Sequence, residues 1–122
     1  MITQIDHLVL TVRDIESSVA FYETVLGMRV QTFAEGRKAL HFGNQKINLQ
    51  TLGQETRNHA CIGSGDVCLI TDWAAEKLLE HLARHDVAVL EGPVTKTGAH
   101  GPITSVYFND PDGNLIEVSS YD

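Results

Sequence analysis

Ile5-Asp6-His7-Leu8-Val9-Leu10-Thr11-Val12 is the stretch on which the reading of the fold turns. It is rich in β-formers, and its alternate residues split into two faces, Ile5/His7/Val9/Thr11 and Asp6/Leu8/Leu10/Val12. Asp14 follows as a helix N-cap, with Glu16 in the first turn where the helix dipole favours an acid. Ile15, Val19, Tyr22 and Leu26 then recur at spacings of four, three and four, which predicts one apolar helix face. Gly27 ends that helix as a C′ glycine. Three strands are expected next, over 28–34, 38–42 and 46–51, with Glu35-Gly36 and Gly43-Asn44 as the turns.

The same order of elements returns downstream. Residues 52–65 are polar and contain glycine, so they read as a linker. A strand is expected over 66–71, a second N-cap at Asp72, and a helix with Ala75, Leu78, Leu79 and Leu82 on its apolar face. Then come a short strand at 87–90, a loop from Gly92 to Gly101, a strand at 103–108, the turn Asp110-Pro111-Asp112-Gly113, and a last strand at 114–119. Strand, helix and three strands occur twice, a weak internal repeat of element order. The fold class is α+β, with two βαβββ modules at about 4–52 and 65–121 in a single domain of 122 residues. A ferredoxin-like sandwich is the alternative, but it needs one strand fewer in each half.

Composition narrows the function classes. Hydrophobic residues make up 43% and charged residues 20%, as in ordinary globular chains. The net charge is −7, and the nine basic residues form no stripe in the sequence, which argues against nucleic acid. No apolar run approaches the roughly 20 residues of a membrane helix. The first residues show neither a basic n-region nor an apolar h-region, so the expected compartment is the cytoplasm. Cys61 and Cys68 stand too far apart for a CxxC site, and Cys68 reads as a small core residue.

Three stretches resemble the glyoxalase/bleomycin resistance/dioxygenase family of the vicinal oxygen chelate superfamily. They are 5–14, the helix end Ser18-Val19-Ala20-Phe21-Tyr22-Glu23-Thr24-Val25-Leu26-Gly27-Met28, and the hairpin Tyr107-Phe108-Asn109-Asp110-Pro111-Asp112-Gly113-Asn114-Leu115-Ile116-Glu117-Val118. The segments 66–71 and 92–103 are similar to a glyoxalase-domain subgroup of unassigned substrate. The resemblance implies that each module curls into half of an open barrel, that the chain pairs as a homodimer, and that two modules enclose a small-molecule cavity. It also implies inward metal ligands on the first and last strands of each module. His7, Asn48, Asp66 and Glu117 stand at those positions, but Asp66 replaces a frequent His and Asn48 a frequent Glu.

The chemistry of that set can be weighed directly. One imidazole and two carboxylates, from His7, Asp66 and Glu117, suit a divalent ion such as Mn, Mg, Zn, Ni or Fe. Asn48 and Gln50 share one strand face and would add neutral oxygens toward a substrate. Glu117 is the candidate catalytic carboxylate, since burial raises a carboxyl pKa toward the working range of a base. His100 lies in a Gly-flanked loop read as a lid, and Tyr107 is a candidate hydrogen-bond donor to substrate. Lys96 and Arg37 can attract an anion, although lone basic residues are usually just solvated. His81 and His85 read as a solvated i, i+4 pair, and His41 and His59 have no assigned role. The expected function is a metal-dependent lyase, isomerase or dioxygenase of glyoxalase type. The alternative is a metal-free sequestering protein of the bleomycin-resistance type.

Overall fold

A computed structural model describes residues 1–121. The chain divides into two compact units, the first ending at Gly65 and the second beginning at Asp66.

In the first unit, β1 (His7–Val12) leads into α1 (Ile15–Leu26), and β2 (Arg29–Phe33), β3 (Arg37–Phe42) and β4 (Gln45–Thr51) follow as a meander. The sheet order is β1-β4-β3-β2, so the meander returns its last strand beside the first. The β1–β4 pair is therefore parallel, as a helical crossover requires, and the other pairs are antiparallel. Asp14 accepts from the Glu16 backbone N–H at 3.3 Å and from the Ser17 hydroxyl at 2.6 Å, which fixes the start of α1. Gly27 ends it with φ +65°, a left-handed conformation that suits a residue without Cβ. The helix buries Ser18, Tyr22 and Val25, a face one residue away from the expected one; of the predicted face only Tyr22 is fully buried. Leu10, Val12, Leu40, Ile47 and Leu49 complete that core.

The second unit repeats the pattern. It runs β5 (Asp66–Ile70), α2 (Ala75–Arg84), β6 (Val89–Gly98), β7 (Gly101–Asn109) and β8 (Leu115–Ser120), with sheet order β5-β8-β7-β6. Its core is Leu78 and Leu82 of α2 with Val106, Phe108, Ile116 and Val118.

Two expectations are corrected here. Ala74, not Asp72, is the N-cap of α2, and it makes no side-chain cap; Thr71 Oγ1 instead accepts from the Trp73 N–H at 3.1 Å. The expected loop from Gly92 to Gly101 is a strand. β6 pairs with β7 from Val89 to Gly98, with register shifts between Val89 and Val94. Gly92 and Pro93 mask the strand signal in the sequence, and the irregularity they mark is accommodated inside the ladder rather than ending it. At Gly92 a Cβ would lie 2.5 Å from the Ser105 carbonyl oxygen, so the two backbones approach as only glycine permits. No helix of the described residues is long and apolar enough to cross a membrane.

Candidate functional site

Period-two alternation decides what the second sheet presents. Val106, Phe108, Ile116 and Val118 point to the helix side, so Ser105, Tyr107, Glu117 and Ser119 point away from it. The register sets Tyr107 opposite Glu117 and Ser105 opposite Ser119 on β7 and β8, and Cys68 of β5 opposite Glu117. Of these, Cys68, Tyr107 and Glu117 floor a cavity of about 580 Å³, walled by Ile70, Lys96, Ile103 and the Gly98–His100 hairpin tip, while Ser105 and Ser119 are buried behind them. That volume is the size of a small-molecule pocket.

Glu117, Cys68 and the two serines form a connected polar chain. The Ser105 hydroxyl donates to Glu117 Oε2 at 2.6 Å and lies 2.7 Å from the Ser119 hydroxyl, which lies 3.3 Å from Cys68 Sγ. Ser105 and Ser119 are fully buried, so their hydroxyls need these partners. Burial pushes the Cys68 thiol up, and the carboxylates of Glu117 and Asp66 push the same way. Tyr107 is pushed up to about 12, first by desolvation and then by the Glu117 carboxylate beside it. Both groups therefore keep their protons at neutral pH. Cys68 was expected in the core. It faces the cavity because Val67 and Leu69 take the helix side, leaving Asp66, Cys68 and Ile70 on the other; the alternation Asp66-Val67-Cys68-Leu69-Ile70 carried that signal.

Asp66 is exposed at the start of β5, opposite Leu115, and is thus diagonal to Glu117 on the same face. His100, read as part of a lid loop, stands in the two-residue turn between β6 and β7. Its backbone N–H donates to the Tyr121 hydroxyl at 3.1 Å, and a Cβ on Gly98 would lie 2.3 Å from that same oxygen. Tyr121 thus holds the hairpin tip against the cavity, a role the sequence reading missed because the residue lies beyond the last expected strand.

In the first unit, His7, Asn48 and Gln50 lie on the sheet face opposite α1. His7 Nδ1 is 2.7 Å from Asp6 Oδ1, and this bond holds the Asp6 carboxyl below its ordinary range. Asn48 is 4% exposed and its Oδ1 has no hydrogen-bond partner; Gln50 donates through Nε2 to Thr11 Oγ1 at 2.9 Å. Among the described residues, no three His, Cys, Asp or Glu side chains gather as a metal site. The Asp6 bond occupies His7 Nδ1 and does not involve Nε2. The Ser105 hydroxyl orients Glu117. The His81 ring meets Trp73 edge-on at 5.2 Å and the exposed His85 at 4.6 Å.

Comparison with known proteins gives one consistent result. Residues 4–118 match the Glyoxalase/Bleomycin resistance protein/Dioxygenase superfamily. The chain is 48% identical over 123 residues to the glyoxalase domain-containing protein RDO1 of Mycosarcoma maydis, covering 98% of this chain and 69% of that protein. It is 48% identical over 124 residues to virulence protein STM3117 of Salmonella typhimurium, covering 99% and 86%. An integron cassette protein, VCH_CASS1, from V. cholerae superposes with a TM-score of 0.95 at 52% identity, covering 100% of this chain and 98% of that one.

Proposed function

The chain belongs to the Glyoxalase/Bleomycin resistance protein/Dioxygenase superfamily, and from that premise we propose that it is a small-molecule enzyme of glyoxalase or dioxygenase type with Glu117 at its reacting centre. The observation that carries this reading is a carboxylate held by a buried serine hydroxyl on the floor of a cavity of substrate size. Such a carboxylate is positioned to accept a proton from a substrate carbon or oxygen. Tyr107, which keeps its proton, serves as a donor to a substrate oxygen across the same floor. Cys68 also keeps its proton, so it acts as a wall of the cavity and not as a nucleophile. Lys96 and His100 close the rim.

His7, Asp66 and Glu117 would hold a divalent ion, with Asn48 and Gln50 offering neutral oxygens toward substrate. When bound, the ion supplies Lewis-acid polarisation of a substrate oxygen. The reading also includes a cytoplasmic homodimer, the pairing that the family resemblance implies. The test is a series of melting curves with Mn²⁺, Ni²⁺, Zn²⁺ and Fe²⁺ on chelator-treated protein. An ion at a hundred times its Kd adds about 2.7 kcal/mol to stability, and Glu117→Gln should lose that gain while still folding cooperatively. A full gain retained in Glu117→Gln removes Glu117 from the metal. The second reading, a metal-free sequestering protein, is favoured by the absence of three converging ligands among the described residues. No gain from any ion would select it.

A further inference from the structure

The first sheet has a charge pattern unlike the rest of the chain. Its four strands contain no Asp or Glu, although the chain has sixteen, yet they contain Arg29, Arg37, Lys38 and Lys46 of its nine Lys and Arg. Three of these four, Arg29, Arg37 and Lys46, lie on the face opposite α1 by strand register. Ala39, fully buried and small, is the centre of that face. Arg37 and His41 stand two residues to either side of it on β3, Asn48 lies opposite it on β4, and Lys46 lies opposite His41.

Two observations set these residues apart from ordinary surface cations. Arg37 Cζ lies 5.0 Å and Lys46 Nζ 4.1 Å from the centroid of one ring, that of Phe33. Two like charges are thus gathered at one platform, an arrangement that Coulomb repulsion opposes and that the Asp6 carboxylate, just before β1, offsets only in part at Lys46. Moreover, Arg37 Nε, His41 Nε2 and Asn48 Oδ1 are all buried without a hydrogen-bond partner. An orphaned buried polar atom costs about 1–3 kcal/mol, and such atoms are few in native folds. Three of them share one sheet face around one small residue. Asn48 is more than nine-tenths buried, and Arg37 and His41 are half-buried side chains whose unpartnered nitrogens are themselves shielded from solvent.

We propose that this face is an oxyanion subsite, and that the protein's substrate is a small anionic molecule carrying a carboxylate or phosphate together with a hydroxyl or amine donor. The anionic group takes the Arg37 Nε–H and the Lys46 ammonium, contacts His41 Nε2, and relieves the repulsion at Phe33. The donor group satisfies Asn48 Oδ1. The inference rests on the reading that the protein acts on a small molecule; it does not require the metal.

The test is a side-chain NMR titration of chelator-treated full-length protein, following the Arg37 Nε–Hε signal. The probes are glycolate and inorganic phosphate at matched ionic strength, with chloride and ethylene glycol as controls. Glycolate or phosphate should shift the signal saturably, and the controls should not. Saturation by glycolate alone identifies a carboxylic acid substrate, by phosphate alone a phosphate ester, and by both an oxyanion site open to either. Arg37→Gln and Lys46→Gln, each checked for a native backbone spectrum and followed by backbone shifts, should weaken binding about tenfold or more, the loss expected for a charge-assisted hydrogen bond. Absence of saturation with both anions, or unchanged binding in both variants, overturns the proposal. Glu117→Gln should bind the anions normally, and Arg37→Gln should keep any metal-dependent rise in melting temperature. A failed metal test with intact anion binding therefore sinks the metal reading alone, and the converse sinks this subsite alone.

Discussion

Tyr107 shows how much one residue's surroundings can change its chemistry. In the sequence it is a strand tyrosine that can either line a cavity or fill a core. In the fold it faces Glu117 across β7 and β8, and desolvation together with that carboxylate pushes its pKa up to about 12. Because the folded value lies above the ordinary value near 10, the stability linked to this proton is complete below about pH 10 and is lost as pH rises toward 12. An absorbance titration of tyrosinate on chelator-treated protein should therefore show a phenol ionising near pH 12 that disappears in Tyr107→Phe. In Glu117→Gln it should move down. A wild-type curve unchanged by Tyr107→Phe would place the late titration elsewhere. Arg37 and His41 make the complementary case: in the sequence Arg37 can attract an anion but reads as an ordinarily solvated cation, and His41 has no role, because nothing in a linear reading shows that β3 sets them on either side of Ala39.

Among the elements, the β7–β8 hairpin is the one whose sequence and structure agree most closely. Asp110-Pro111-Asp112-Gly113-Asn114 reads as a turn, and its residues make it a closed hydrogen-bonded unit. Asp110 Oδ1 accepts from the N–H of Asp112 and of Asn114, both at 2.9 Å, and Asp110 Oδ2 accepts from Asn114 Nδ2 at 2.8 Å. Asp110 is 5% exposed and Asn114 1%, so these bonds are shielded from water. Asp110→Ala leaves buried donors unpaired and should cost about 2–3 kcal/mol in urea unfolding. A loss within experimental error would mean that water replaces the carboxylate freely. This turn also sets the register that brings Tyr107 opposite Glu117, so its loss should weaken the cavity as well as the fold. β6 is the contrasting element. Its Gly92-Pro93 reads as a break, but pairing with β7 carries the strand through it.

For the whole molecule, the repeated βαβββ order was legible from the start, and it leaves strands β1, β2, β5 and β6 at sheet edges. On β6, Val89 is 37% and Leu90 56% exposed, and on β5 Ile70 is 58% exposed. Apolar residues on edge strands invite pairing with another chain. Sedimentation at micromolar concentration should accordingly give a homodimer. A stable monomer would leave the paired-module reading without support.

The sequence by itself determined the element order, the caps of α1 and the DPDGN hairpin. Each of these depends on residues near one another in the chain, where propensity, capping and period-two alternation act locally. Only the tertiary structure decided which alternation phase faces the cavity, that Cys68 lines it, that Ser105 holds Glu117, and that Tyr121 clasps the hairpin tip. It alone also gathered Arg37, His41, Lys46 and Asn48 around Ala39. The physical reason is register: pairing between strands distant in sequence sets which side chains become neighbours, and it is fixed by burial of the opposite face, not by the residues that carry the chemistry.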